Sequence, residues 1–387
     1  MTISALGAAK IEVDENHWVS IGAGIRTDFK TVEDSAPDGT SRSSSFNVEN
    51  VRLYINGQVH EKVKFTFNTE CESCVFGQDA GDAHGAGGDI DILDAIAQFE
   101  FSPGFNVWAG RMLTPADRIE LNGPFYGLSW NQYTVPLLPS DQLGTAGLLG
   151  RDDGVTIWGA VDKFQYAVGL FDGVDGGPNQ EDNLLFAGRV AYNFLNMESN
   201  PGYYTSSTYY GNGGDILTLA VSYQTQENGT GTAVEQGDFN ATIIDALFEK
   251  VLGNGGVVTL EGEYKWFDSE NSQAAQLDPT CFCVFDGEAY FITAAYLFPS
   301  QAGWGKFQPY IRYTSNNPSS SSISGLDPVT MLPVGLPDSD LTELGVNYII
   351  KGHNLRLNFN YTTGDANLTV APCADVDGVL FGVQIQI

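Results

Sequence analysis

From Trp18 to Ile387 the chain alternates apolar and polar side chains with a period of two, in one segment after another. Successive side chains of a β-strand point to opposite faces, so this rhythm specifies strands with one greasy and one polar side. Val19, Ile21, Ala23, Ile25 and Phe29 oppose Ser20, Gly22, Gly24, Arg26, Asp28 and Lys30. Val51, Leu53 and Ile55 oppose Arg52, Tyr54 and Asn56, and Val63, Phe65 and Phe67 oppose Lys62, Lys64, Thr66 and Asn68. The last segment sets Val379, Phe381, Val383, Ile385 and Ile387 against Gly382, Gln384 and Gln386.

Sixteen such segments are expected. Eight lie near 17–30, 46–57, 60–70, 90–101, 105–112, 152–160, 162–171 and 183–194. The others lie near 214–226, 238–251, 255–268, 285–298, 306–315, 338–351, 353–364 and 377–387. Most run 10–14 residues, the length at which a tilted strand crosses a bilayer. An even number of antiparallel strands can close on itself and leave no unpaired edge in lipid.

The connections alternate as well. Short turns are expected at Gln58–Val59, Ser102–Gly104, Val161, Gly253–Asn254 and Gly352, with longer members of that series at 195–213 and 299–305. Between them fall eight polar loops: 31–45, 71–89, 113–151, 172–182, 227–237, 269–284, 316–337 and 365–376. Short periplasmic turns on one side and long extracellular loops on the other mark a bacterial transmembrane barrel. No linker or repeat divides the chain, so residues 1–387 read as one all-β domain, a 16-stranded antiparallel transmembrane β-barrel.

The net charge of −30, from 48 acids against 18 bases, excludes a nucleic-acid partner, because phosphate binding needs a basic footprint. No apolar run reaches the roughly 18 residues of a membrane helix. The segment 1–10 is too short for the charged region and apolar core of an export signal, so export to the outer membrane is expected from the rest of the chain. Aromatic side chains such as Trp18, Phe29, Phe101, Tyr264, Trp266 and Tyr361 fall near strand ends, where girdles meet the membrane interfaces.

Three stretches are similar to the phosphate-selective porin O/P superfamily: WVSIGAGIRTDF (18–29), VRLYINGQVHEKVKFTFNTE (51–70) and ILDAIAQFEFSPGFNVWAGRMLTP (92–115). DGVTIWGAVDKFQYAVGLFDG (153–173) fits the same pattern. The resemblance implies an outer-membrane homotrimer whose third long loop, here 113–151, folds into the barrel and constricts it. It also implies a passive, water-filled channel for small hydrophilic solutes and ions. Where phosphate-specific members carry adjacent arginines before the VRLYING-like run, this chain has Glu49 and Asn50. It ends in Ile387 rather than the usual phenylalanine.

Parity places Arg26, Arg52, Lys62, Lys64, Arg189, Lys265, Arg312 and Arg356 on the water-facing side, and closure brings Arg312 and Arg356 near the first strands. The pore-lining basic set is therefore Arg26, Arg52, Lys64, Arg189, Arg312 and Arg356. The constriction loop supplies Asp117, Arg118, Glu120 and Asp141, with Arg151 at its end. A basic wall facing an acidic loop would set a transverse field across the constriction. The remaining acids Asp94, Glu100, Glu261, Glu263 and Glu343 favour a weak cation preference.

No catalytic constellation stands out around His17, His60, His84 and His353, so the chain is read as a channel and not an enzyme. The Asp- and Gly-rich stretch 77–94 offers Asp79, Asp82, Asp89 and Asp91 as possible Ca²⁺ ligands, the one cofactor considered. Cys71, Cys74, Cys281, Cys283 and Cys373 all fall in expected outer loops, where disulfides pinning loops are expected in an oxidising exterior and one cysteine is left over. The expected partners are outer-membrane lipid and lipopolysaccharide, other copies of the chain, and small solutes. Two alternatives stand beside the general pore: a substrate-specific channel for phosphate or an organic acid, and an adhesion or surface-assembly protein.

Overall fold

The computed structural model describes residues 9–72, 90–132, 150–326, 329–365 and 375–387. In the first half the strands are β1 (Ala9–Asp14), β2 (His17–Val32), β3 (Ser43–His60), β4 (Val63–Glu72), β5 (Asp91–Ser102), β6 (Phe105–Leu113), β7 (Arg151–Val161), β8 (Phe164–Phe171) and β9 (Leu185–Asn193). In the second half they are β10 (Ile216–Gly231), β11 (Gln236–Val251), β12 (Val257–Ser269), β13 (Gly287–Leu297), β14 (Lys306–Pro318), β15 (Ile323–Leu326), β16 (Pro333–Gly335), β17 (Ser339–Lys351), β18 (Leu355–Asp365) and β19 (Asp375–Gln386). Among the described residues, two short helices, α1 (Arg118–Tyr126) and α2 (Gln273–Gln276), lie in loops.

Sixteen strands, β2–β14 and β17–β19, form an antiparallel ring in chain order. It closes where β19 pairs with β2, Phe381 opposite Phe29 and Gln384 opposite Arg26. β9 pairs with β10 across the middle of the chain, Arg189 opposite Ser222. Closure satisfies every strand edge, the condition for placing a sheet in hydrocarbon. β1 pairs with β2 at Ala9–Glu12, covering the stretch of β2 that extends past the end of β19.

The burial pattern is the reverse of a soluble sandwich. Ile25 is 46 % exposed while Arg26 beside it is 3 % exposed. Ile311 and Arg312 repeat the contrast at 48 % and 1 %. Greasy side chains face outward around the whole ring, including Leu53, Phe99, Ile157, Val190, Val221, Leu260, Ile292, Leu344 and Phe381. Charged and amide side chains face inward. A water-soluble fold has no means of stabilising so much outward apolar surface, whereas a bilayer does.

All sixteen expected strands are present, with ends shifted by a few residues. β3 runs on through Gln58 and Val59, so the first short turn falls at Glu61–Lys62 instead, and Lys62 is exposed in it and does not line the lumen. Cys71 lies within β4, opposite Val51, rather than in a loop, because the alternating strand continues past Glu70. The expected loop 227–237 shrinks to residues 232–235 as β10 and β11 extend as a hairpin. Loop 316–337 carries its own small hairpin, β15–β16.

Candidate pore lining and the segments inserted into it

After β6 the chain turns into the barrel. Asp117 caps α1, its carboxylate accepting from the Glu120 amide at 2.8 Å. The helix breaks at Gly123, which holds a left-handed φ of 62°, and at Pro124 behind it. Arg118 to Phe125 are all buried. Room for this segment comes from glycines on the wall. A Cβ on Gly382 would stand 2.6 Å from the ring of Trp130, and one on Gly24 would stand 2.9 Å from that of Phe125.

The wall arginines hold this loop by its backbone. Arg356 donates to the carbonyls of Gly127 and Leu128 at 2.6 and 3.3 Å. Arg312 donates to the carbonyls of Asn131 and Gln132 at 2.8 and 3.2 Å, and to the Ser129 hydroxyl at 2.9 Å. Arg26 donates to the Trp130 carbonyl and lies 4.1 Å from the centre of the Trp130 ring. Arg189 donates to the Ala116 carbonyl at 3.0 Å and to Asp245 at 2.9 Å. Lys265 pairs with Asp117 at 2.7 Å and Glu263 at 2.9 Å. Arg26, Arg312 and Arg356 thus meet the backbone carbonyls of the loop rather than its carboxylates, and Asp117 pairs with Lys265 on β12.

A second segment enters from the opposite mouth. The 194–215 connection between β9 and β10 belongs to the short-turn side, yet it reaches the underside of α1. Thr205 bonds the carbonyl of Arg118 at 2.8 Å and the side chain of Asn122 at 2.7 Å. The Ser207 amide donates to the Tyr126 carbonyl at 3.2 Å. Arg118 makes a two-point ion pair with Glu198, at 2.7 and 2.8 Å, and also reaches Asp245 at 3.2 Å. Tyr203 and Tyr204 pack on Trp108, which rests on Trp158. Glu249 anchors the end of the segment, accepting from the Thr208 hydroxyl at 2.8 Å and the Gly211 amide at 2.7 Å.

The other predicted residues divide differently. Arg52 is buried against Glu70 and lies 5.2 Å from the centre of the Phe125 ring. Arg151 approaches Asp94 at 3.4 Å. Lys64 pairs with Glu100 on the inward faces of β4 and β5. Glu120 is buried in α1. Asp141 lies outside the described residues, as do Asp79, Asp82 and Asp89; Asp91 begins β5. Among the described residues no group of three His, Cys, Asp or Glu side chains converges as a metal site.

Cys281 and Cys283 are disulfide-bonded to each other, closing a local ring instead of pinning two loops together. Cys71 is also disulfide-bonded. His353, in the turn between β17 and β18, contacts the Ser206 hydroxyl at 3.2 Å, the Thr208 carbonyl at 3.0 Å and the Tyr210 hydroxyl at 3.3 Å. Burial, then the nearby Arg356 charge, push its pKa down to about 3. Sequence reasoning missed Glu198, Asp245, Glu249 and the whole inserted 194–215 segment. The one signal available was its length, which is unusual for a short-turn connection.

A closed ring with a polar interior, narrowed by inserted chain, is the geometry of a molecular sieve. The family model for phosphate-selective porins O and P matches residues 19–387. No curated protein sequence matches the chain. Among solved structures, OprB of Pseudomonas putida superposes with a TM-score of 0.64 at 8 % identity, covering 95 % of this chain and 94 % of that one. An anion-selective porin from Comamonas acidovorans gives 0.57 at 14 % identity, covering 95 % and 99 %. The trimer form of OmpT from Vibrio cholerae gives 0.55 at 14 % identity, covering 96 % and 100 %. At these identities the likeness shows the fold, a closed antiparallel β-barrel. The chain belongs to the phosphate-selective porin O and P family and is an outer-membrane porin, a channel for small solutes and ions.

Proposed function

We propose that the barrel is a general diffusion pore with a weak preference for cations, assembled as a homotrimer. The observation that carries this reading is the engagement of the wall arginines. Arg26, Arg312 and Arg356 donate to carbonyls of the inserted loop, and Arg189 and Arg118 share Asp245. A guanidinium committed to protein acceptors has few donors left for a passing phosphate. With Glu49 and Asn50 where phosphate-specific members carry arginines, the family's anion preference does not transfer to this chain.

The unbalanced charge is acidic, 48 residues against 18. Fixed negative charge at the mouths of a low-dielectric channel concentrates cations there. The described part of the constriction loop, 113–132, narrows the passage, the outward apolar girdle contacts lipid and lipopolysaccharide, and the trimer form of the OmpT neighbour supports the same assembly here. The reading requires no cofactor.

Single-channel recording in KCl with added inorganic phosphate or a small dicarboxylate tests it. Ohmic current without block is expected. Saturable block at submillimolar solute would replace the general pore with a substrate-specific channel, and absence of current would favour the adhesion alternative.

A further inference from the structure

Water does not reach the inner wall evenly. On β9 to β13 the inward side chains from Leu185 to Leu297 are almost all buried under α1 and the 194–215 segment. On β3 to β5 the pattern changes toward the short-turn ends, while Asn50, Arg52, Glu70, Asp94, Ile96 and Gln98 beyond them are buried. Tyr54, Asn56 and Gln58 on β3, Lys64, Thr66 and Asn68 on β4, and Glu100 on β5 all face inward and keep solvent access. The ion pairs show the contrast most clearly. Arg118–Glu198, Arg189–Asp245, Lys265–Asp117 and Arg312–Glu343 have side chains at most 5 % exposed. Arg52–Glu70 and Arg151–Asp94 stay at or below 7 %. Lys64 and Glu100 are each 25 % exposed.

We propose that the conduction path is eccentric at the short-turn mouth, running there along the inner face of β3–β5, with Lys64 and Glu100 as the charge pair that sets its ion preference. The inference rests on the channel reading given above and locates the channel within the barrel. Coulomb interaction falls with distance, so a fixed charge influences a permeating ion only where the ion can come close to it. The buried pairs are spent on holding the inserted segments. Lys64 and Glu100 are opposite charges presented side by side to water, Lys64 standing in register with Gln58 on β3 and Gln98 on β5. Around them Asn56 and Thr66, bonded to each other at 2.8 Å, and Asn68, bonded to Asp94 at 2.8 Å, continue a polar track along the wall. Such a track suits hydrated ions and small zwitterionic or neutral polar solutes, which can exchange water for amide and hydroxyl contacts.

The test uses the full-length protein in bilayers and in proteoliposomes, with two kinds of variant. Lys64→Gln frees the Glu100 charge and is expected to raise the cation-to-anion permeability ratio about twofold or more, whereas Glu100→Gln lowers it by a similar factor. The double variant Lys64→Gln/Glu100→Gln returns close to the parent. Separately, Thr66→Cys on the track and Thr293→Cys on the covered wall are exposed to a cationic methanethiosulfonate reagent. The parent, with its own five cysteines, serves as background. Labelling is read both by mass and by block of current. Rapid labelling of Thr66→Cys with no labelling of Thr293→Cys is expected. Equal labelling of both, or of Thr293→Cys alone, would overturn the eccentric path. Unchanged permeability ratios in both charge variants would overturn the role of the pair. Because mass labelling needs no current, a silent bilayer would count against the channel reading and leave the path result to be judged independently.

Discussion

Arg118 and Glu198 enter the barrel from opposite mouths, eighty residues apart in sequence, and meet in a fully buried two-point ion pair at 2.7 and 2.8 Å. The pair ties the constriction loop to the segment beneath it, so the narrowing of this pore is a joint product of both ends of the molecule. Removing one partner leaves a charge in a dry site. Arg118→Ala is expected to cost about 3–5 kcal/mol, read as a lower temperature for loss of the folded band in detergent gels. Arg118→Ala/Glu198→Ala is expected to lose less than the sum of the single variants. Strict additivity would show that the two residues do not act together.

The wall arginines act on the loop backbone. Arg312→Ala and Arg356→Ala each strip hydrogen bonds from carbonyls between 127 and 132. Larger, noisier single-channel conductance is expected, with little change in ion preference. A strong shift of ion preference at constant conductance would mean that these charges face the permeating ion directly.

His353 gives the fold a predictable acid weakness. Its pKa falls from an unfolded value near 6.5 to about 3 in the folded chain. Between those values the unfolded chain binds a proton that the folded chain does not, so this contribution is intact above pH 6.5 and is lost as pH falls toward 3. The slope is at most about 1.4 kcal/mol per pH unit for one group. His353→Gln is expected to flatten the pH dependence of unfolding in that window and leave it unchanged above pH 7. An unchanged acid profile would contradict the burial of the neutral ring.

The Cys281–Cys283 bond closes so short a loop that chain entropy offers only about 1.6 kcal/mol. The backbone there is already held, since Phe282 and Gly231 exchange two hydrogen bonds at 2.8 and 3.0 Å. Cys281→Ser/Cys283→Ser is therefore expected to fold and conduct as the parent does. Loss of folding in that variant would show that the bond organises the loop.

The ring of strands was legible because each one carries its own two-sided pattern, and closure follows from the pattern without long-range information. Ile25 beside Arg26 already states which face meets lipid. The contents of the lumen were not legible in the same way. Parity placed Arg312 and Arg356 inward, yet whether an inward arginine meets water or a carbonyl depends on where Gly127 and Asn131 come to rest, and loop residues carry no period to say so. The 194–215 segment escaped for the same reason. Its contacts use Ser, Thr and Tyr side chains that read as ordinary loop polarity until Glu249 and Glu261 stand opposite them. Cys71 was misplaced because the expected strand was ended at Glu70, one residue short of it, whereas β4 runs on to Glu72 with Cys71 opposite Val51.

The zero-current potential of the unmodified porin across a KCl gradient tests the account most directly, since it reports which ion carries the current through a lumen whose arginines are already engaged. A potential of the sign set by potassium is expected, with a permeability ratio of about 2–5 over chloride. A potential of the opposite sign, with chloride carrying most of the current, would contradict it.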